Sequence, residues 1–339
     1  MCAFFSAPSL AVPVADLYVA DVYVTSESEA QRLSGARAGL LQVLVRVSGT
    51  QTVADDEQIR LALRNPSRFY YQYSYQTTDR EFQVGTEIIQ GRILRISFEP
   101  NVIAALLRNA GFSVWGSNRP SVLLWVAVND ERGRRITSER DGDDISKAFA
   151  ELAKERGLPM LYPLMDLEDA AGISTAEVWG AFLGRIDGAS VRYKPDSILS
   201  GRVQRDVSGQ WLGNWAYRID GNWSRFEGVA GSSRELVVEV VDHLADKLAT
   251  RYAVGSAKSA VNVRIEGVDS AVAYAAVLVY LQSLAPVLDT YVTSVEGSDL
   301  VLELSTEGQQ SQLIEIIELD RKMTLLNASN GRLLYRWTP

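Results

Sequence analysis

Three groups of side chains in this sequence have types and spacings that chemistry can use. The first is acidic: Asp166, Glu168 and Asp169 follow the apolar run Met160 to Met165. Carboxylates at the end of a strand can hold a hard cation or act as the acid and base of a glycosidase. The same acids suit a solvated turn, because negative charge favours the N-terminus of a following helix. A glycosidase also needs a second carboxylate at a set distance, which chain spacing does not supply. The second group is aromatic: Trp211, Trp215, Tyr217 and Trp223 crowd one stretch with Phe226. Strand alternation puts Trp211, Trp215 and Tyr217 on one face with Gly213 and Ile219. Such a face can stack on a sugar or dock a partner, or it can be the core side against a helix. The ladder Phe69, Tyr71, Tyr73, Tyr75 against Tyr70, Gln72, Ser74, Gln76 poses the same choice. The third group is one residue, His243, a step off the apolar stripe Val240, Leu244 and Leu248 of its helix. No G-x-S-x-G elbow accompanies it, so a structural role at the helix edge is expected.

Composition narrows the chemistry further. A single Cys in 339 residues excludes an internal disulfide framework and thiolate metal centres. A single His excludes sites that need two imidazoles. The net charge of −8 argues against nucleic acid, which asks for a basic face. No phosphate loop is present, since Gly85, Gly91 and Gly111 lack both the spacing and the lysine. The basic run Arg132, Arg134, Arg135 and Arg140 is surrounded by acids and reads as a solvated loop. No cofactor and no metal are expected, and Asp166, Glu168 and Asp169 are the weak metal candidates.

The elements that would carry these residues fall into three segments. In the first, a strand at Asp21 to Thr25 leads to a helix opened by the capping box Ser26/Glu29, with Leu33, Leu40, Leu44 and Val47 on one face. The aromatic ladder and Ile93 to Phe98 follow as strands, and Pro100 starts a short helix. The second segment opens with Val122 to Val128, an apolar run typical of a strand covered on both faces. It continues with a helix at Ile145 to Arg156, a strand at Met160 to Met165, and a capping box at Ser174/Glu177 before Val178, Trp179 and Phe182. A meander then turns at Asp220-Gly221, and a long helix begins at Ser232/Glu235. The third segment runs strand, helix, strand, strand, helix, strand, an order that is ferredoxin-like, plus a last strand at Leu333 to Trp337.

The expected fold class is therefore α+β, with three small α/β-sandwich domains at residues 15–120, 121–256 and 257–339. Residues 1–14 are apolar from Cys2 to Val14 and end near Ser9-Leu10-Ala11, like the tail of a secretory signal. Periplasmic export follows from that reading. No other uncharged run is long enough to span a bilayer, so the mature chain is expected to have no transmembrane segment.

Three stretches carry a resemblance to a known family. They are Arg119-Pro120 into Val122-Leu123-Leu124-Trp125-Val126, Arg156-Gly157-Leu158-Pro159 through Asp166-Leu167-Glu168-Asp169, and Val178-Trp179-Gly180 with Ser190-Val191-Arg192-Tyr193. With Gly201-Arg202-Val203 and the Trp211/Trp215 meander, they resemble the DUF2066 proteins of proteobacteria. The resemblance implies an exported envelope protein and carries no reaction with it. Separately, Ser197 to Tyr252, with Asp242-His243-Leu244-Ala245-Asp246, is similar to the N-terminal domain of TolB and related envelope proteins. That similarity implies an adaptor that binds protein partners, and it transfers no residue.

The functional expectation is a non-catalytic periplasmic adaptor or assembly factor of the cell envelope, with a protein partner. The alternatives are a glycan or peptidoglycan binder using Trp211, Trp215, Tyr217 or Trp223, and a carboxylate-based hydrolase. Neither the partner nor the oligomeric state is written in the sequence.

Overall fold

Three separate β-sheets, each with its own helices, give the mixed α and β architecture expected of an α+β protein. The computed structural model describes residues 14–84, 86–253, 258–329 and 331–338, so the stretch expected to be the tail of an export signal lies outside the described residues except for Val14. Two compact units divide the chain. One holds Asn118–Leu248 with Ile316–Arg321, and the other holds Val14–Ser117, Ala249–Glu315 and the chain from Lys322 onward. No helix among the described residues is long and apolar enough to cross a membrane.

Strand β1 (Val19–Val24) leads into helix α1 (Glu29–Ser48), the short α2 (Glu57–Arg64), strands β2 (Tyr70–Val84) and β3 (Glu87–Phe98), and α3 (Pro100–Asn109). The strands form an antiparallel sheet in the order β1-β3-β2. The cap of α1 is Ser28 rather than Ser26. Ser28 accepts from the Gln31 amide, and the Ser26 hydroxyl donates to Ser28 Oγ. The helix buries Ala36, Leu40, Val43, Leu44 and Val47 against Ala20, Val24, Leu94, Ile96 and Phe98. Close approach is possible because Gly39 faces the strands. A Cβ there would stand 3.0 Å from the Ala20 Cβ and 3.4 Å from Ile96 Cδ1.

The aromatic ladder of β2 departs from strict alternation because Tyr71 is the extra residue of a bulge. Tyr70 pairs with Phe98 and Gln72 with Ser97, after which Tyr73 and Tyr75 pair with the buried Ile96 and Leu94. The core-side set is therefore Tyr70, Tyr73 and Tyr75. As an edge strand, β2 leaves even that side half covered. Arg32 packs over the Tyr73 ring and donates to its hydroxyl at 3.1 Å. Past Arg92, where β1 stops pairing, β2 and β3 continue as a two-stranded arm to Val84 and Glu87.

The middle sheet is built from β4 (Val122–Asp130), β5 (Gly133–Ile136), helix α4 (Asp144–Arg156), β6 (Met160–Leu161), helices α5 (Leu167–Gly172), α6 (Thr175–Trp179) and α7 (Leu183–Ser190), strands β7 (Ser197–Arg205), β8 (Trp211–Ile219) and β9 (Asn222–Ala230), and helix α8 (Ser233–Tyr252). The order is β5-β4-β7-β8-β9, with β6 also paired to β4. Every side chain from Val122 to Val128 is fully buried, as its unbroken apolar run demands. The charged stretch after β4 is not a plain solvated loop. It folds back as β5, and Arg135 donates to Asp130 at 2.7 Å and to Asp143 at 2.5 Å. The helix expected to run through Phe182 breaks at Gly180-Ala181, where Ala181 takes a positive φ, and resumes as α7. At the Asp220-Gly221 turn both residues have positive φ, the twist a two-residue hairpin needs.

The third sheet follows the order β10 (Lys258–Glu266), α9 (Ala271–Ser283), β11 (Val287–Glu296), β12 (Asp299–Glu307), α10 (Gln310–Asp320), β13 (Met323–Ser329) and β14 (Arg332–Trp337). Its first six elements give the β-α-β-β-α-β order. The last strand then lies between β10 and β13, parallel to the former and antiparallel to the latter, so the sheet reads β11-β12-β10-β14-β13.

The tight seat of α1 makes a direct test. Gly39→Val should overpack the helix against Ala20 and Ile96 and lower unfolding free energy by about 1–3 kcal/mol in urea denaturation. An unchanged midpoint would mean that helix and sheet are free to separate.

Candidate functional site

The two faces of the β7-β8-β9 meander have different roles. Trp215 projects toward α4 and α8 and is only 2% exposed, with its ring 6.2 Å from Phe149. It lies flat across its own sheet because both flanking positions on that face are glycine. A Cβ at Gly201 would fall 2.2 Å from the ring, and one at Gly213 would fall 2.4 Å from Nε1. Tyr217 is buried on the same face and meets His243, which stacks on Phe226 at 4.2 Å. Alternation thus placed Trp211, Trp215 and Tyr217 on a common face, where Trp215 and Tyr217 are buried in the core. Trp223 lies on the opposite face, where its indole N–H donates to Asp187 of α7 at 3.1 Å.

Trp211 lines an open cavity. A polar space of about 640 Å³ lies between the β4–β5 turn, the start of α4 and the start of β8. Trp211 forms one wall, while Asp130, Arg132, Asp144 and Arg205 supply charge. Asp130 is held below the ordinary carboxylate range by the hydrogen bond from Arg135.

The acidic group has structural work to do. Asp166 caps α5, accepting from the amides of Glu168 and Asp169, and takes a two-pronged pair from Arg192 at 2.7 and 2.9 Å. These bonds, first those from Arg192, hold its carboxyl well below the usual range. Asp169 is buried and accepts from the Tyr193 hydroxyl at 2.5 Å, the Met165 amide at 2.8 Å and Arg192 at 3.0 Å. Burial and the bond to Asp169 push the Tyr193 hydroxyl up to about 12. Glu168 is exposed and lies 3.4 Å from Arg192. Arg192 and Tyr193 are the residues that composition and spacing did not single out; their partners are far away in the chain, so no local signal marks them. Among the described residues, no group of three or more His, Cys, Asp or Glu side chains is placed to hold a metal ion.

A second ion-paired knot lies behind the sheet. Arg156 at the end of α4 is buried and pairs with Asp242 and, at 2.9 Å, with Asp246, one turn apart on α8. Buried Arg119 donates to the backbone carbonyls of Arg156 and Gly157 at 2.8 and 3.2 Å.

Residues 11–116 match the model of a domain of unknown function (DUF8605), which spans the first sheet and its helices. This match overturns the resemblance to DUF2066: the domain model that matches is a different one, and nothing supports DUF2066. The stretches that carried the resemblance are a doubly buried strand, a helix stop and capped turns, parts that many α/β sandwiches share. No curated protein matches the sequence. Solved chains that match include one described as "Crystal structure of uncharacterized protein". It is 10% identical and covers 39% of this chain and 95% of that chain, at a TM-score of 0.15, too low to argue from.

Two measurements test this geometry. Tyr193→Phe removes one donor from the buried Asp169 carboxylate and should cost about 1–3 kcal/mol in chemical denaturation; full stability would remove Tyr193 from the knot. The imidazole of His243 titrates below its ordinary 6.5, first because burial disfavours the charged ring and then because Lys247 repels it. The unfolded chain therefore takes the proton first, and this contribution to stability is complete above about pH 6.5 and lost on acidification below it. With one histidine in the chain, the ring proton NMR signal is unambiguous, and a midpoint at or above 6.5 would rule out the depressed value.

Proposed function

We propose that this chain is a non-catalytic adaptor that acts through protein–protein contacts. The observation that carries the reading is the aromatic edge of the first sheet. Tyr71 is 66% exposed on edge strand β2, and Ile88 is 70% exposed on the arm that β2 and β3 form beyond β1. An edge strand presents unpaired N–H and C=O groups that a partner strand can take up, and flanking aromatics give such an addition its side-chain contacts. The face turned away from α1 adds Tyr23, exposed, with Phe82 at 6.4 Å and Arg80 stacked over both rings. The structural duties of Asp166 and Asp169 favour binding over catalysis. The periplasmic location is part of the same proposal, and its support is the apolar composition of residues 2–14.

A photoactivatable side chain at position 71 or 88 should crosslink a defined protein in intact cells, and Gln72→Pro should abolish that crosslink by blocking strand addition. Equal crosslinking at the exposed Val207, far from this edge in the sequence and in the other unit, would remove the hairpin from the proposal.

A glycan-binding reading is favoured by one observation, the placement of Trp211 in the wall of the polar 640 Å³ cavity. Stacking of a sugar on Trp211 would make binding of soluble peptidoglycan fragments fall about tenfold in Trp211→Ala. No difference between the two proteins would end this alternative.

A further inference from the structure

On the face of the middle sheet that carries α5, α6 and α7, α7 reaches Arg218 and Trp223 through Asp187, and beyond the end of α6 a groove of about 250 Å³ opens over β7, β8 and β9. Two rows of paired residues form its base. Ser200 of β7 pairs with Ala216 of β8, which pairs with Arg225 of β9; the next row is Arg202, Asn214 and Glu227. Alternation along the strands sends all six side chains to this face. The end of α6 supplies a wall, Trp179, whose ring is pinned by the Arg134 guanidinium at 4.1 Å.

Two observations set the groove apart from an ordinary surface hollow. Ser200 is 1% exposed, and its hydroxyl has no hydrogen-bond partner, although buried hydroxyls nearly always have one. The exposed charged residues around it are not ion-paired among the described residues. Among the described residues Arg202 reaches only the Asn214 side-chain oxygen, at 3.3 Å, and neither Arg225 nor Glu227 is in an ion pair. Elsewhere in the same unit, arginines such as Arg135, Arg156 and Arg192 each hold two or more carboxylates.

We propose that this groove binds a small zwitterion with two carboxylates and one ammonium, the charge pattern of a free acidic α-amino acid or a short acidic peptide. The planar N–H forks of Arg202 and Arg225 match carboxylates, and the Glu227 carboxylate matches the ammonium. The Ser200 hydroxyl donates to a carboxylate oxygen at the base. Strands β7 and β9 are separated by β8 and the two arginines sit in adjacent rows, so their backbones stand about 12 Å apart on the diagonal of the sheet. Side chains that lean inward from that span can meet two carboxylates joined by a few carbon atoms. The site's charge of two cations and one anion is neutralised by a ligand with one net negative charge. This inference stands apart from the adaptor reading, because it uses different residues and a different sheet.

Isothermal titration of the full chain with L-glutamate, L-aspartate, a glutamyl-alanine dipeptide, N-acetylglutamate, glutamine and inorganic phosphate tests it. Saturable binding of an acidic amino acid or the dipeptide is expected, and the tighter of the two identifies the source. Arg202→Gln and Arg225→Gln should each weaken that binding by about tenfold or more. Both arginines are exposed, so these variants keep the fold, which an unchanged Tm verifies. Glu227→Gln should weaken glutamate and leave N-acetylglutamate unaffected, while Ser200→Ala should weaken every ligand that wild type binds. No saturable heat with any ligand, equal competition by phosphate, or wild-type affinity in both arginine variants would overturn the proposal. Crosslinking at the β2–β3 arm is a separate readout, so either proposal can fail alone.

Discussion

A strand with no exposed side chain must be roofed on both sides, and β4 imposes that requirement on the middle unit. One roof is α4 with α8, which receives Phe149, Trp215 and the Leu236, Val240 and Leu244 stripe. The other is the chain of short helices α5, α6 and α7, packed on Leu123, Trp125, Ala127 and Ile198. The two roofs are unequal in reach. The long helix α8 extends to β8 and β9, where His243 meets Tyr217 and Phe226. The short helices cover β4 and β7 and, through Asp187 of α7, reach Arg218 and Trp223 at one end of β8 and β9; the other end of those two strands is left open, which is where the groove beside Ser200 arises.

The polar residues of this unit serve the same end. Loops that carry short helices have many backbone groups to satisfy and little apolar surface to hold them. Here the chain ties them with arginine. Arg192 gathers Asp166 and Asp169 at the start of α5, Arg135 gathers Asp130 and Asp143 beside α4, and Arg156 joins α4 to α8. Each guanidinium is multiply bonded, and removing Arg192 or Arg135 would take a cation from a buried carboxylate, Asp169 or Asp143. Asp166 and Asp169, an acidic pair in a one-dimensional reading, are thus bound into the start of α5.

What could be read from the sequence was whatever depends on near neighbours. The Ser174/Glu177 box, the Asp220-Gly221 hairpin and the α8 stripe are local, and the structure contains all three. The unbroken apolar run of β4 announced its double burial. Features set by distant pairing were not legible. The bulge at Tyr71 depends on the register with β3, so alternation grouped Tyr73 with Tyr75 correctly but put Tyr71 with them in place of Tyr70. The charged stretch after β4 seemed unstructured because its ion pairs form only when it folds back as β5. The candidate aromatics divided likewise: parity grouped Trp211, Trp215 and Tyr217, but only packing decides that Gly201 and Gly213 make a berth for Trp215 while Trp211 reaches a cavity.

The position of β14 has a consequence for the order in which the third sheet can be assembled. Strands β10, β11 and β12 are made together and pair with one another, but β13 touches the rest of the sheet only through β14. Asn262 of β10 finds its partner Arg332 only after everything between them has been synthesised. On a translating ribosome, β10 therefore waits with one side open, and β13 waits as a strand without a neighbour. Such unpaired edges are where intermediates stick to one another. Completion of this sheet is thus a late event, timed by the emergence of Arg332–Trp337 rather than by the pairing of the strands already formed.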